Sequence, residues 1–197
     1  MARRNIKYIV GIDEVGRGCL AGPVTVSAVA IPASLRFKNL RDSKKLSELQ
    51  RNAWFKKIKD EPRIFYAKAS VYPKVIDRIN ISKAANLAAT RALSRLIIRN
   101  KLRNIKIFLD GGLYLNFKLP YAKTVIKGDE KYSSVKLASI VAKVSRDRVM
   151  RQNHKKFPEY GFADHVGYGT KFHIRALKKH GICELHRLTF IKNFVKV

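Results

Sequence analysis

Apolar positions fall into two kinds of run along the chain. "IKYIVGI" (6–12) and "VTVSAVAI" (24–31) are rich in β-branched residues and are separated by a segment containing Gly and Pro, which predicts neighbouring strands. "IFYAKASV" (64–71) predicts a third strand, and "IKIFLDGG" (105–112) a fourth that ends in Asp110 before two glycines. Helical spacing fills the intervals. Ser47 stands just before Glu48, at the start of a helix running to the break at 60–62. Over 82–101, Ala85, Ala89, Leu93, Leu96 and Ile97 recur on one side, with Ser82 placed to cap the helix. Arg91, Arg95 and Arg99 share the opposite stripe, as a solvated face or as a contact for an anion. The stretch 123–153 predicts a short strand, a loop carrying Asp129, and a helix from about Ser134 to Asn153.

From Lys155 the composition shifts to Tyr, Phe, His and Gly before another helix starts near Phe172. Strands alternating with helices predict an α/β domain. No repeat or linker interrupts the chain, so one domain over 1–197, with a helical extension over about 155–197, accounts for it.

Charge changes this picture more than composition does. The 197 residues carry 42 Lys and Arg against 14 Asp and Glu, a formal net charge of +28. Solubility asks for a magnitude of only about 2 to 8. Such a field attracts a polyanion, in a manner that weakens with salt, unless it reflects adaptation to an unusual intracellular milieu. No run reaches 18 apolar residues, which argues against a membrane span. The basic start lacks the apolar core of a signal peptide, so a cytoplasmic location is expected. Cys19 and Cys183 have no CxxC spacing and read as free, buried thiols.

Four carboxylates arrive at strand ends or loops beside glycine: Asp13, Glu14, Asp110 and Asp129. Oxygen donors without a Cys pair favour Mg²⁺ or Mn²⁺, and such ions can activate water and stabilise a leaving oxygen. Each carboxylate could instead cap a helix or satisfy a turn. Asp13 and Glu14 pose a further difficulty, because successive strand side chains point to opposite faces. They reach one site only if the strand ends or twists there. The five histidines form no HExxH pattern, and Ser43 and Ser139 no readable triad. His165, in a loop rich in Gly and Tyr, could contact substrate or serve the fold.

Several blocks then occur in order: "GIDEVGRGCLAGP" (11–23), "DSKKLS" (42–47), "ASIVAKVSRDR" (138–148), "FPEYGFADHVGYGTKFH" (157–173) and "HRLTF" (186–190). Together they closely resemble the bacterial ribonuclease HII family, over residues 8 to about 190. Val15 and Thr189 stand where that family usually has Ala and Ser. The resemblance implies a ribonuclease H-like fold: a mixed central sheet flanked by helices, with a C-terminal extension that grips substrate. It implies an endoribonuclease that cleaves the RNA strand of RNA:DNA hybrids and incises duplex DNA 5′ to single embedded ribonucleotides, leaving a 3′-hydroxyl and a 5′-phosphate. Asp13, Glu14, Asp110 and Asp129 would hold Mn²⁺ or Mg²⁺, with Asp147 supporting the helix. Gly16, Arg17 and Gly18 would meet the 2′-hydroxyl and its phosphate, Tyr168 would stack on the following deoxyribose, and Lys44, Lys45 and Lys143 would contact phosphates. A monomer is expected, and the aromatic "LTFIKNF" leaves a replication clamp open as a partner. The alternatives are a ribonuclease HIII type, which handles single ribonucleotides poorly, and a basic nucleic-acid-binding protein without catalysis.

Overall fold

The computed structural model describes residues 6–41 and 43–195; Asp42, the first residue of "DSKKLS", lies outside the described residues, as do the two last residues of the extension. Five strands form one mixed sheet in the order β3-β2-β1-β4-β5. They are β1 (Tyr8–Val15), β2 (Val24–Pro32), β3 (Phe65–Val71), β4 (Ile105–Asp110) and β5 (Ala122–Val125). The three at one side pair antiparallel, while β4 runs parallel to both β1 and β5.

Helices cover both faces, which is why all of β2 from Val24 to Ile31 is buried and reads as an apolar run broken only by Thr25 and Ser27. On one face lies α3 (Ile81–Asn100), whose buried stripe is Ala84, Ala85, Ala88, Ala89 and Ala92 followed by Leu93 and Leu96. On the other lies α5 (Ser133–His154), where Leu137, Ile140, Val141 and Val144 meet Val29 and Ile31, and α1 (Glu48–Asp60) adds Phe55 and Ile58. A capping box between Ser47 and Gln50 starts α1.

The predicted strands and long helices all form, with corrections at their ends. Ser82 does not cap α3. Asn80, at φ 67°, does so through its side chain, which accepts from the Lys83 N–H at 3.0 Å. Asp129 sits on a one-turn helix, α4 (Gly128–Lys131), and not in a loop. A short helix, α2 (Pro73–Ile79), was not anticipated. Arg91, Arg95 and Arg99 are exposed, and Arg95 donates to the Lys68 carbonyl at 2.9 Å. Cys19 is a buried free thiol as expected, whereas Cys183 is only half-buried.

The extension builds a small core of its own. A 3-10 turn (Pro158–Tyr160), α6 (Phe162–His165) and α7 (Lys171–His180) pack Tyr160, Phe162, Val166 and Ala176 against Met150 of α5 and Ala21. The last helix, α8 (Leu188–Ile191), is pinned to α2, where the Asp77 carboxylate accepts from the Leu188 N–H at 2.9 Å and the Thr189 N–H at 3.0 Å. Ile191, within "LTFIKNF", is therefore fully buried.

Gly11 sets the spacing between β1 and α5, because a Cβ there would lie 2.1 Å from the Ser134 carbonyl carbon and 2.2 Å from the Val135 nitrogen. Backbone cannot rotate away as a side chain can. Gly11→Ala is expected to cost about 3 kcal/mol in denaturant unfolding. A loss under about 1 kcal/mol would show that strand and helix separate freely.

Candidate active site

Because β1 and β4 are parallel, their carboxyl ends share one edge of the sheet, the usual place for a site in α/β folds. Pairing of β1 with β4 stops at Ile12 opposite Leu109, while pairing with β2 continues to Val15 opposite Thr25. Asp13 and Glu14 thus occupy the stretch where β1 has lost one neighbour. Adjacent side chains there converge on one point: one oxygen each from Asp13, Glu14 and Asp110 lie within 4.8 Å of one another. The Glu14 N–H donates to Asp13 Oδ1 at 2.7 Å.

Convergence of three carboxylates is electrostatically costly. Burial holds the Asp13 carboxyl well above the ordinary range; the charges of Glu14 and Asp110 add to this, and a hydrogen bond from Ser139 opposes it. Burial also raises Glu14, opposed by Arg17 and reinforced by Asp110. Its Oε2 is buried without a hydrogen-bond partner among the described residues. An orphaned buried carboxylate oxygen beside two more carboxylates fits a hard divalent cation, which would satisfy the oxygen and neutralise the cluster.

Asp129 is not one of the three converging groups. It is buried and does not line the cleft, its Oδ2 accepting from Lys44 Nζ at 3.0 Å. The one-turn helix that carries it also touches the cluster, since the Gly128 N–H donates to Asp110 Oδ1 at 2.7 Å.

The "GRG" turn faces the carboxylates across a cleft of about 490 Å³. Gly16 has a structural reason to be glycine: its φ is +91°, and a Cβ would lie 2.3 Å from Arg146 Nε. Gly18 has none, since it is exposed and a Cβ there would meet nothing within 4 Å. Its bare backbone faces open space. Arg17 bridges the walls, donating to Glu14 Oε1 at 3.4 Å, the Gly112 carbonyl at 3.3 Å and Ser82 Oγ at 3.3 Å. Tyr168, 40% exposed, lines the cleft opposite, and its hydroxyl meets the Cys19 thiol. Burial pushes both groups above their ordinary pKa.

With this geometry the chain can be compared with known proteins. A family model described as Ribonuclease HII matches residues 10–193. The chain belongs to the ribonuclease HII family. It is therefore a metal-dependent endoribonuclease of the HII type, a family that cleaves the RNA strand of RNA:DNA hybrids. Curated relatives named Ribonuclease HII include one from Ruminiclostridium cellulolyticum, 46% identical over 96% of this chain and 72% of the relative. Another, from Caldicellulosiruptor bescii, is 43% identical over 97% and 90%. Among solved structures, ribonuclease H2 from Pyrococcus horikoshii OT3 superposes with a TM-score of 0.76 at 26% identity, covering 96% of this chain and all of that one. Bst ribonuclease HIII, solved with Mn²⁺, shares the fold at a TM-score of 0.73 and 19% identity over 95% and 68% of the two chains.

Of the residues expected from sequence, Asp13, Glu14, Gly16, Arg17, Gly18, Lys44, Asp110, Lys143 and Tyr168 border this ribonuclease HII cleft. Lys45 does not; it lines a neighbouring basic hollow with Arg41 and Lys136. Asp147 accepts from Lys143 at 3.0 Å, the supporting role expected of it. Ser139 was missed, although it bonds Asp13 and lies 2.6 Å from Ser43 Oγ. Its spacing to Lys143, Arg146 and Met150, four, seven and eleven residues, was a readable helical stripe. Arg51 in the cleft wall carried no such signal.

Carboxylates raised on folding bind more protons in the folded state than in the unfolded one, so their contribution is complete below the unfolded pKa and lost as pH rises through the folded values. The metal-free protein is accordingly weakened at neutral pH. Asp13→Asn is expected to stabilise it there by about 1 kcal/mol. Millimolar Mn²⁺ should raise the melting temperature of the wild type and have much less effect on Asp13→Asn. Thermal unfolding with and without chelator checks both; an unchanged wild-type melting temperature would refute the metal assignment.

Proposed function

We propose that this protein incises duplex DNA 5′ to a single embedded ribonucleotide, as well as cleaving RNA:DNA hybrids, by hydrolysis assisted by two divalent cations, Mg²⁺ or Mn²⁺. The observation that carries the reading is the combination in one cleft of three converging carboxylates with the unobstructed backbone of Gly18. A carboxylate cluster serves many reactions. A bare, exposed turn beside it admits a bulky strand and allows backbone groups to meet a 2′-hydroxyl, the atom that separates RNA from DNA.

In this reading Asp13, Glu14, Asp110 and Asp129 would hold the cations. Held there, divalent cations would supply activation of water and stabilisation of the leaving 3′ oxygen. Water attacks phosphorus, the bond to the 3′ oxygen breaks, and the products carry a 3′-hydroxyl and a 5′-phosphate. The backbone of Gly16, Arg17 and Gly18 orients the ribose. Arg17, tied to Glu14, links sugar recognition to the carboxylates. Tyr168 packs its ring on the next deoxyribose. Lys44 and Lys143 hold phosphates at the cleft, and Lys45 holds one further along the strand. These lysines position without reading sequence.

The extension from 155 onward grips the duplex, and the net charge of +28 adds attraction that weakens steeply with salt. No helix among the described residues is long and apolar enough to cross a membrane.

The test is cleavage of a labelled duplex with one internal ribonucleotide, beside an RNA:DNA hybrid and an all-DNA control, in Mg²⁺ and separately in Mn²⁺. The expected product is a metal-dependent nick immediately 5′ to the ribonucleotide. Asp13→Asn should lower the rate at least about a thousandfold, the several kcal/mol that a metal contributes, with duplex affinity at matched salt kept within about threefold. Cleavage of the hybrid alone would replace this reading with HIII-like specificity. Binding without any cleavage would overturn it.

A further inference from the structure

Three histidines of the extension, His165, His173 and His186, lie outside the lining of the cleft, yet they surround the backbone that carries Tyr168. His173 and His186 are buried, at 0% and 2% exposure, with their Nε2 atoms 3.2 Å apart. Two facing ring nitrogens form a hydrogen bond only if one carries a proton and the other does not. The backbone decides which.

The Cys183 N–H donates to His186 Nδ1 at 2.9 Å, closer than the Cys183 carbonyl at 3.3 Å. His186 Nδ1 is therefore unprotonated, and its proton sits on Nε2. That nitrogen donates to His173 Nε2, so the proton of His173 sits on Nδ1, where it donates to the Tyr168 carbonyl at 2.9 Å. Each step follows from the one before. His165 is fixed in the same way, accepting from the Gly167 N–H at 3.1 Å and donating to the Tyr160 carbonyl at 2.7 Å. Its ring stacks on His173 with centroids 4.5 Å apart.

The same turn is held from the opposite side. The Gly167 carbonyl accepts from the Leu20 and Ala21 N–H groups, and the Val166 carbonyl from Arg146. The Tyr168 N–H donates to the His165 carbonyl at 2.9 Å. The Tyr168 carbonyl accepts from the Thr170 N–H at 2.9 Å, and His173 adds the side-chain hydrogen bond that completes the fixing of Tyr168.

We propose that His173 is a positioning residue for ribonucleotide recognition: His186 holds it in the neutral tautomer whose Nδ1 proton fixes the Tyr168 backbone, and so the placement of its ring in the cleft. This rests on the role given above to Tyr168. Protonating His173 Nε2 would set two donors face to face and break the pair. Burial opposes this, pushing both rings down to about 4. The titratable and charged groups around them are His165 against His173, Tyr160 edge-on to His186, Cys183 in the adjoining turn, and Asp164 and His154 acting on His165. Arg146 and Arg187 supply fixed positive charge beside the turn.

Nitrogen-15 NMR of the wild-type imidazoles at neutral pH tests the tautomers directly. His173 should show a proton on Nδ1 and His186 one on Nε2, both rings staying neutral to below about pH 5. The opposite tautomers, or a charged ring at neutral pH, would overturn the proposal. The second readout is the ratio of kcat/KM on the lone-ribonucleotide duplex to that on the hybrid. His173→Asn places an amide donor where Nδ1 was and should keep this ratio within about threefold of wild type, whereas His173→Gln does not and should lower it about tenfold, the worth of one hydrogen bond. Hybrid cleavage should change little in either. Tyr168→Ala is measured alongside. If it leaves the ratio unchanged, the role of Tyr168 falls and this proposal with it. If Tyr168→Ala lowers the ratio and folded His173→Gln does not, the histidine assignment alone is overturned. Should His173→Gln fail to fold, the wild-type tautomers decide.

Discussion

Two fully buried guanidinium groups hold the glycine-rich turn that follows the carboxylates of β1. Arg146 donates to the carbonyls of Pro23, Val166 and Ala21, and Arg187 to those of Gly22, Arg17 and Gly16, at 2.7 to 3.1 Å. Burying two cations is expensive, and neither side chain forms an ion pair within 4 Å among the described residues. What offsets the cost is a ring of carbonyls that would otherwise lie buried and unsatisfied. Burial lowers Arg187 only to about 10, so it remains a cation at neutral pH. The dependence runs both ways: the glycine-rich loop needs the arginines to have one shape, and the arginines need that shape to be solvated. A segment with glycines at 16, 18 and 22 would otherwise be among the most mobile in the chain.

That rigidity has a consequence for charge. Three of the 14 acidic residues meet at one point on the rigid edge, where they cannot move apart to relieve their repulsion. A flexible loop would let Glu14 turn into solvent and leave no site. Arg17 lowers the cost for Glu14 without removing it, because its donor distances are long and its charge is shared with Gly112 and Ser82. The protein therefore carries local strain at the place where a cation relieves it, while its overall positive field favours the arrival of a polyanion. Opposite signs at the two length scales do not conflict, since the far field follows net charge and the cluster acts within a few ångströms.

The strands and long helices were legible because their signal is local: a central strand covered on both faces is mostly apolar, as β2 is apart from Thr25 and Ser27, and a helix lying close to a sheet must present a small apolar stripe, as Ala84 to Ala92 do. The carboxylates were legible as a candidate metal site, but the geometry that brings three of them together was not. Their convergence depends on the β1–β4 ladder ending at Ile12, and the sequence of β1 does not say where its neighbour stops. Short elements escaped for a related reason. The helix after Pro73 and the single turn around Asp129 have too few residues to display a period, and Asn80 displaced Ser82 as the cap by adopting a left-handed φ that no pattern announces. The order of the sequence blocks identified the family, yet it did not reveal that "HRLTF" acts by sending Arg187 across the molecule to Gly16.

This last contact joins residues 171 positions apart, and it is one of several that tie the glycine-rich turn to the C-terminal segment. The Arg187 N–H donates to the Leu20 carbonyl, the Gly22 N–H to Leu185, and the Leu20 N–H to Gly167. The turn at 16–23 thus acquires its hydrogen bonds from parts of the chain that fold against it last in sequence order. Long-range closure of this kind is entropically costly and forms cooperatively. It follows that the carboxylates and the residues that would recognise the sugar do not mature separately. The extension that carries Tyr168 is the same one that completes the "GRG" turn, so the geometry proposed for the metal and that proposed for the ribose would be two results of a single packing event.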